Sequence, residues 1–169
     1  MRKFAGVMIA LVLCLPFLGW ATTRVVQGVL FDRNVEGHLK RAADANTIEL
    51  AEKELAGVLT YLEQTGMTSG YTSIFWRTPD EDIGFWYQNL EASLGELHKV
   101  SKEAAQLEKS NILIKLRETL VDHGQSLKVT VPQGASIFPN NTAYFLVSIV
   151  GLVIGLVGVI VGGTMILDD

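Results

Sequence analysis

The chain has 169 residues, 19% of them charged and 49% hydrophobic, and a formal net charge of −4. Those averages hide three regions. Phe4 to Ala21 and Ala143 to Leu167 carry no charge, while the stretch from Arg24 to Thr142 holds 12 of the 14 basic and 16 of the 18 acidic residues. A mildly acidic middle lacks the basic footprint that nucleic-acid binding requires. With Cys14 as the sole cysteine, an intramolecular disulfide and a cysteine-based metal site are both excluded.

The first apolar stretch, Phe4 to Ala21, follows Arg2 and Lys3 and has two readings. It is either a retained signal anchor or a cleaved signal peptide, the latter with an apolar core at Ala5 to Leu15, Pro16 as breaker and Gly19-Trp20-Ala21 as a small-x-small cleavage site. Retention is favoured, because the uncharged stretch is long enough to span and Val25, Val26, Val29 and Leu30 carry a helical pattern onward. Leu11-Val12-Leu13-Cys14 lacks the small residue that normally precedes a lipidated cysteine. The two basic residues and the N-terminal amine predict a cytoplasmic N-terminus and a middle region outside, periplasmic in a bacterial inner membrane. The chain then returns to a cytoplasmic tail at Asp168-Asp169.

From Val25 to Thr65 the sequence reads as one helix without proline, with Ile48, Ala51, Leu55, Val58 and Leu62 at coiled-coil-like spacing. Such a helix would reach roughly 60 Å from the membrane at 1.5 Å per residue. Gly66 and Gly70 close it. Thr78-Pro79-Asp80-Glu81 opens the next, with a capping Thr, a first-turn Pro, and acidic residues at the positive end of the dipole. The second helix is expected to run to about His123 and stop at Gly124, burying Leu90, Leu94, Leu97, Ala104, Leu107, Ile114 and Leu120, with a kink where the apolar phase slips near Glu108 to Asn111. Leu127, Val129 and Val131 alternate with polar residues up to Pro132, as a short strand or extended linker does.

The last apolar stretch has 25 uncharged residues, Ala143 to Leu167. As a helix they would extend roughly 37 Å, enough to cross a hydrocarbon core of about 30 Å. Asn140, Asn141 and Thr142 offer capping side chains, and Tyr144 and Phe145 suit a membrane interface. Ser148, Gly151, Gly155, Gly158 and Gly162 are spaced 3, 4, 3 and 4 apart and share one helical face. In lipid, where helix association depends on close van der Waals packing, such a face is a helix-packing surface. Gly6, Ala10 and Cys14 form a smaller matching set in the first segment, so intrachain packing competes with self-association or docking on another membrane protein.

The expected fold is thus an all-α membrane protein: an N-terminal membrane segment (1–23), an extracytoplasmic antiparallel helical hairpin (24–125), an extended linker or short strand (126–142), a transmembrane helix (143–167) and a two-residue cytoplasmic tail (168–169). A hairpin alone covers one face of each helix, so a third packing surface is required, and dimerisation into a four-helix bundle would supply it.

Six of the fourteen aromatics, Tyr71, Phe75, Trp76, Phe85, Trp86 and Tyr87, fall within 17 residues at the expected hairpin tip. They form either a surface for a partner or ligand, or the local core that such a tip needs. Asp80, Glu81 and Asp82 are explained by their place in a first helical turn. The polar run Asp32, Arg33, Asn34, Glu36, His38, Lys40 and Arg41 reads as a solvated helix face. His38, His98 and His123 share no ligand spacing, and no HExxH, GxSxG, Walker-type or dinucleotide pattern occurs in the polar region. No catalytic residue, metal or cofactor is therefore assigned. The expectation is a non-enzymatic membrane-anchored structural or adaptor protein, with the lipid bilayer, a second copy or a membrane protein complex as partner. A sensory ectodomain signalling through another protein and a small pore-forming or channel-accessory protein are the alternatives.

Overall fold

The computed structural model describes residues 2–100, 103–122 and 128–167. Its secondary structure is mostly helical, and the chain divides into two compact units, one of residues 1–28 with 140–169 and one of residues 29–139. The predicted cytoplasmic tail, the predicted helix stop at His123-Gly124 and the strand residue Leu127 lie outside the described residues.

The first unit consists of helix α1 (Arg2–Phe31) up to Gly28 and helix α6 (Asn141–Leu167). Asn141–Ile160 is a 20-residue apolar stretch long enough to cross a membrane, and only 6% of its most apolar window is covered by the rest of the chain. Leu152, Val153, Leu156, Val157, Val159 and Ile160 are all exposed.

In the second unit the helical path continues from α1 through a π-helical turn, Asp32–Glu36, into α2 (Gly37–Ala43). Here the expected long helix stops. The chain turns over Asp44 to Asn46, and α3 (Ile48–Gln64) starts from Thr47, whose extended backbone and side-chain oxygen cap the new helix by accepting from the Leu50 amide at 3.3 Å. The stripe predicted on this helix is the core: Ile48, Ala51, Leu55, Val58 and Leu62 are buried, against Val35, Leu39 and Ala42.

Gly66 and Gly70 take left-handed backbone angles, φ 72° and 105°, and end the α3 arm as predicted. The next α-helix, α4 (Ile83–His98), begins later than expected. Pro79–Glu81 forms only a 3₁₀ turn, across which Thr78 Oγ1 donates to Glu81 Oε2 at 2.7 Å, and Asp82 is the true N-cap, accepting from the Phe85 amide at 3.0 Å. The antiparallel pair expected from the sequence is therefore α3 with α4, pinned where Tyr87 Oη donates to Glu63 Oε1 at 2.9 Å.

The second arm is also shorter. It breaks after His98, not near Glu108 to Asn111, and resumes as α5 (Gln106–Leu120). Because α5 turns back on α4 and α2, its buried side differs from the expected one. Leu116 and Leu120 are buried and Ile112 and Leu113 partly so, whereas Leu107 and Ile114 face solvent. A two-residue antiparallel ladder follows, β1 (Val121–Asp122) with β2 (Lys128–Val129), in register Val121 to Val129 and Asp122 to Lys128. The packing surface that a bare hairpin would lack is thus provided within one chain by α2 and α5.

Candidate functional site

Two surfaces carry the residues singled out in the sequence. On α6, the small-residue face is less exposed than the rows beside it. Ser148, Gly151 and Gly155 are half-buried and Gly158 is buried, between rows of exposed Leu, Val and Ile. A Cβ at Gly151 would stand 3.1 Å from Cδ2 of Phe17 and 3.7 Å from its Cβ, so this glycine lets α1 approach α6. Ser148 returns its hydroxyl to the Tyr144 carbonyl at 2.6 Å, as hydroxyls in apolar helices do. Among the described residues, a Cβ at Gly155 would meet nothing within 4 Å. The surroundings of Gly162, Gly6, Ala10 and Cys14 lie outside the described residues.

The six aromatics also divide. Trp86 is 7% exposed, part of the core, and its indole N–H donates to the Thr130 carbonyl at 3.0 Å, tying α4 to the segment after β2. Tyr87 is half-buried against α3, and burial, with Glu63 as hydrogen-bond acceptor, raises its phenol pKa. Tyr71 is bridged to Asp82 and holds Arg77 over its ring, guanidinium carbon 5.2 Å from the centroid. The hydrogen bond to Asp82 raises the Tyr71 pKa. The Asp82 carboxyl is held low, chiefly by the Phe85 amide it caps. Phe75, Trp76 and Phe85 are instead 67%, 81% and 63% exposed, and Ile74 beside them is exposed too.

The exposed residues sit on a built lobe. Its neck is closed by the Thr72 amide donating to the Glu81 carbonyl at 3.0 Å and the Ile83 amide donating to the Gly70 carbonyl at 2.9 Å. Between these bonds residues 73–80 project. Sequence reasoning places this lobe at the tip between two helices, and it lies between the end of α3 and the start of α4. With α2 ending at Ala43, α3 returns along it in a register fixed by His38 against Glu54, so that α3 finishes level with the beginning of the unit. A Cβ at Gly70 would lie 3.2 Å from Cζ of Phe138, one residue before the unit ends. Within the unit, the lobe thus lies at the end that holds the unit's own first and last residues.

One cluster escaped the sequence reading. Glu54 is 5% exposed, yet its carboxylate accepts from His38 Nδ1 and from Arg41 NH2, each at 2.6 Å. The signal was available: Glu54 lies between Ala51, Leu55 and Val58 on the apolar face of α3. A charge there requires partners, and the polar run before it is where they were. The cluster is a clamp between α2 and α3, with His38 and Arg41 on the solvent side. One cleft of the second unit, of about 410 Å³, lies over the Asp44 turn, and another of about 380 Å³ is lined by Phe31, Glu36, Lys128 and residues 131–136. Burial, followed by the nearby Asp32 charge, raises the Glu36 pKa, with Lys128 opposing. Asp80 and Glu81 remain on the solvated 3₁₀ turn, and among the described residues no three metal-ligating side chains converge.

No protein-family model matches the chain, no curated protein matches its sequence and no solved structure matches its fold. The class that the fold defines is a mostly helical chain with a C-terminal helix long and apolar enough to span a membrane and a small helical bundle.

Proposed function

We propose that this is a membrane-anchored structural or adaptor protein. Both apolar helices lie in the bilayer, the bundle of residues 29–139 stands on the extracytoplasmic side, and assembly with a second copy or a membrane partner runs through the small-residue face of α6. The observation that carries this reading is the bare apolar surface of α6, combined with a glycine on its small-residue face, Gly155, where an added Cβ would meet nothing within 4 Å among the described residues. Apolar surface on this scale is stable only in lipid, and an open small-residue position is suited to a second helix. Nothing comparable supports catalysis, because the titratable groups with shifted pKa values are explained by caps, burial and hydrogen bonds to neighbours.

The test uses the single native cysteine. In a Cys14→Ala background, Gly155→Cys is compared with Val153→Cys, which lies on the far side of α6. The expected result is resistance to alkaline carbonate extraction for both variants, and oxidative or bismaleimide crosslinking, to a copy or to a discrete partner, at 155 only. Extraction by carbonate would remove the anchor, and equal or absent crosslinking at the two positions would remove the assembly face.

A further inference from the structure

Within the bundle, the π-helical turn Asp32–Glu36 and the segment that follows β2 line the cleft of about 380 Å³. π-Helical turns are rare and recur at functional sites. This one closes by the Gly37 amide donating to the Asp32 carbonyl, and a Cβ at Gly37 would lie 3.1 Å from that oxygen, so a glycine admits the turn. Glu36 lines the cleft, while Val35 beside it is fully buried. The other wall is built: Gly134 takes a left-handed angle, φ 79°, and Pro132 and Ala135 are buried. Lys128 also lines the cleft. No ion pair among the described residues joins it to Glu36, so two opposite charges share one cleft without meeting.

We propose that this cleft binds a free α-amino acid with an apolar side chain, its ammonium on Glu36 and its carboxylate on Lys128. Charge complementarity selects the class. An amine alone would bring a like charge to Lys128, and a carboxylate alone would do so at Glu36, whereas a zwitterion with its charges on adjacent carbons satisfies both. Asp32, whose charge acts on Glu36, adds to the negative potential at the ammonium end. Phe31, Val129, Val131 and Pro132 provide the apolar lining that a side chain requires, and the volume falls in the range of about 300–1,000 Å³ usual for small-molecule clefts. Glu36 suits this role, because burial raises its carboxyl and an arriving ammonium would favour the charged form again. The site lies wholly within the bundle, so it stands independently of the anchoring reading. It gives the bundle a ligand-responsive role beside that of an adaptor.

The experiment uses the full chain in mild detergent, titrated by calorimetry at neutral pH with L-alanine, L-leucine and L-phenylalanine. Leucine or phenylalanine should bind saturably and more tightly than alanine. Isoamylamine and isocaproate, which are leucine without its carboxylate and without its ammonium, should each bind about tenfold or more weakly than leucine. Glu36→Gln, while melting no lower than wild type, and Lys128→Gln, with its helical circular dichroism intact, should each lower leucine affinity by about tenfold or more. Lys40→Gln, in the cleft over the Asp44 turn, should leave it unchanged. No saturable heat with any of the three amino acids overturns the site. Equal binding of isoamylamine and leucine also overturns it, since the cleft would then be a cation site without a role for Lys128. So does a loss with Lys40→Gln equal to that with Lys128→Gln, which would place the ligand over the Asp44 turn. Each of these failures leaves the anchoring reading intact, because that reading is tested by carbonate extraction.

Discussion

Cδ2 of Phe17, on α1, lies 3.1 Å from the point at which a side chain at Gly151 of α6 would begin. Contact this close has no room for added carbon, whereas the same construction at Gly155 meets nothing within 4 Å. Gly151→Leu should therefore destabilise the helix pair by about 1–3 kcal/mol, the usual cost of overpacking. Gly155→Leu should leave the monomer's thermal midpoint in mild detergent unchanged and reduce only assembly. Thermal melts and crosslinking yields on both variants separate the two roles, and equal melting losses would show that the stripe is a single intrachain surface.

The clamp at Glu54 has unequal members, a buried carboxylate and two partners, His38 and Arg41, that reach solvent. Removing the partners strands a buried carboxylate, while removing the carboxylate leaves the partners hydrated. His38→Ala/Arg41→Ala should thus cost more than Glu54→Gln, by roughly 1–3 kcal/mol for an unsatisfied buried acceptor. Urea midpoints for the three proteins check the ordering, and Glu54→Gln as the more damaging change would contradict it.

Trp86 and Trp76 are ten positions apart and opposite in role. Trp86→Phe should cost about 1 kcal/mol for the lost bond to Thr130, and Trp86→Ala about 3–5 kcal/mol for the cavity. Trp76→Ala should stay within about 0.5 kcal/mol, as surface changes do. In detergent-free fragments of partly unfolded protein the distinction would vanish, so the comparison is made by chemical denaturation of the folded full chain in detergent.

Two carboxylates set opposite pH trends. Asp82 titrates below its unfolded value, so its cap stabilises α4 above the ordinary carboxylate range, near pH 4, and that contribution is lost as pH falls through the depressed folded value. Glu36 titrates above its unfolded value, so its stabilising share is fully present below that range and is lost as pH rises through the folded value. At neutral pH, Glu36→Gln should raise the melting temperature and Asp82→Ala should lower it. Each difference should shrink on acidification to about pH 3. Melts across that pH range provide the check, and a Glu36→Gln gain that grows on acidification would reverse the sign argued here.

The lengths of the helices were the least legible feature of the sequence. Asp44-Ala45-Asn46-Thr47 does hold three cap- or turn-forming residues, a break signal hidden by the helix formers on either side. The break after His98 has no such signal, since Lys, Glu and Ala continue there. It arises because the apolar face of α4 has to be covered, and α5 covers it only by turning back. Leu107 and Ile114 were expected inside because periodicity was extended across a break that resets the helical phase.

What the sequence determined alone is the chemistry of each segment. Absence of charge from Ala143 to Leu167 makes that helix apolar on all sides, the spacing of Ser148 to Gly162 places small residues on one face, and the stripe from Ile48 to Leu62 is the buried side of α3. These properties are local, read within a few turns of helix. Tertiary structure decided which segments meet. Only folding could place Phe17 on Gly151, bring His38 and Arg41 to Glu54, and divide Trp86 from Trp76. Those outcomes depend on where helices reverse, and reversal is set by the need to bury apolar faces against distant parts of the chain.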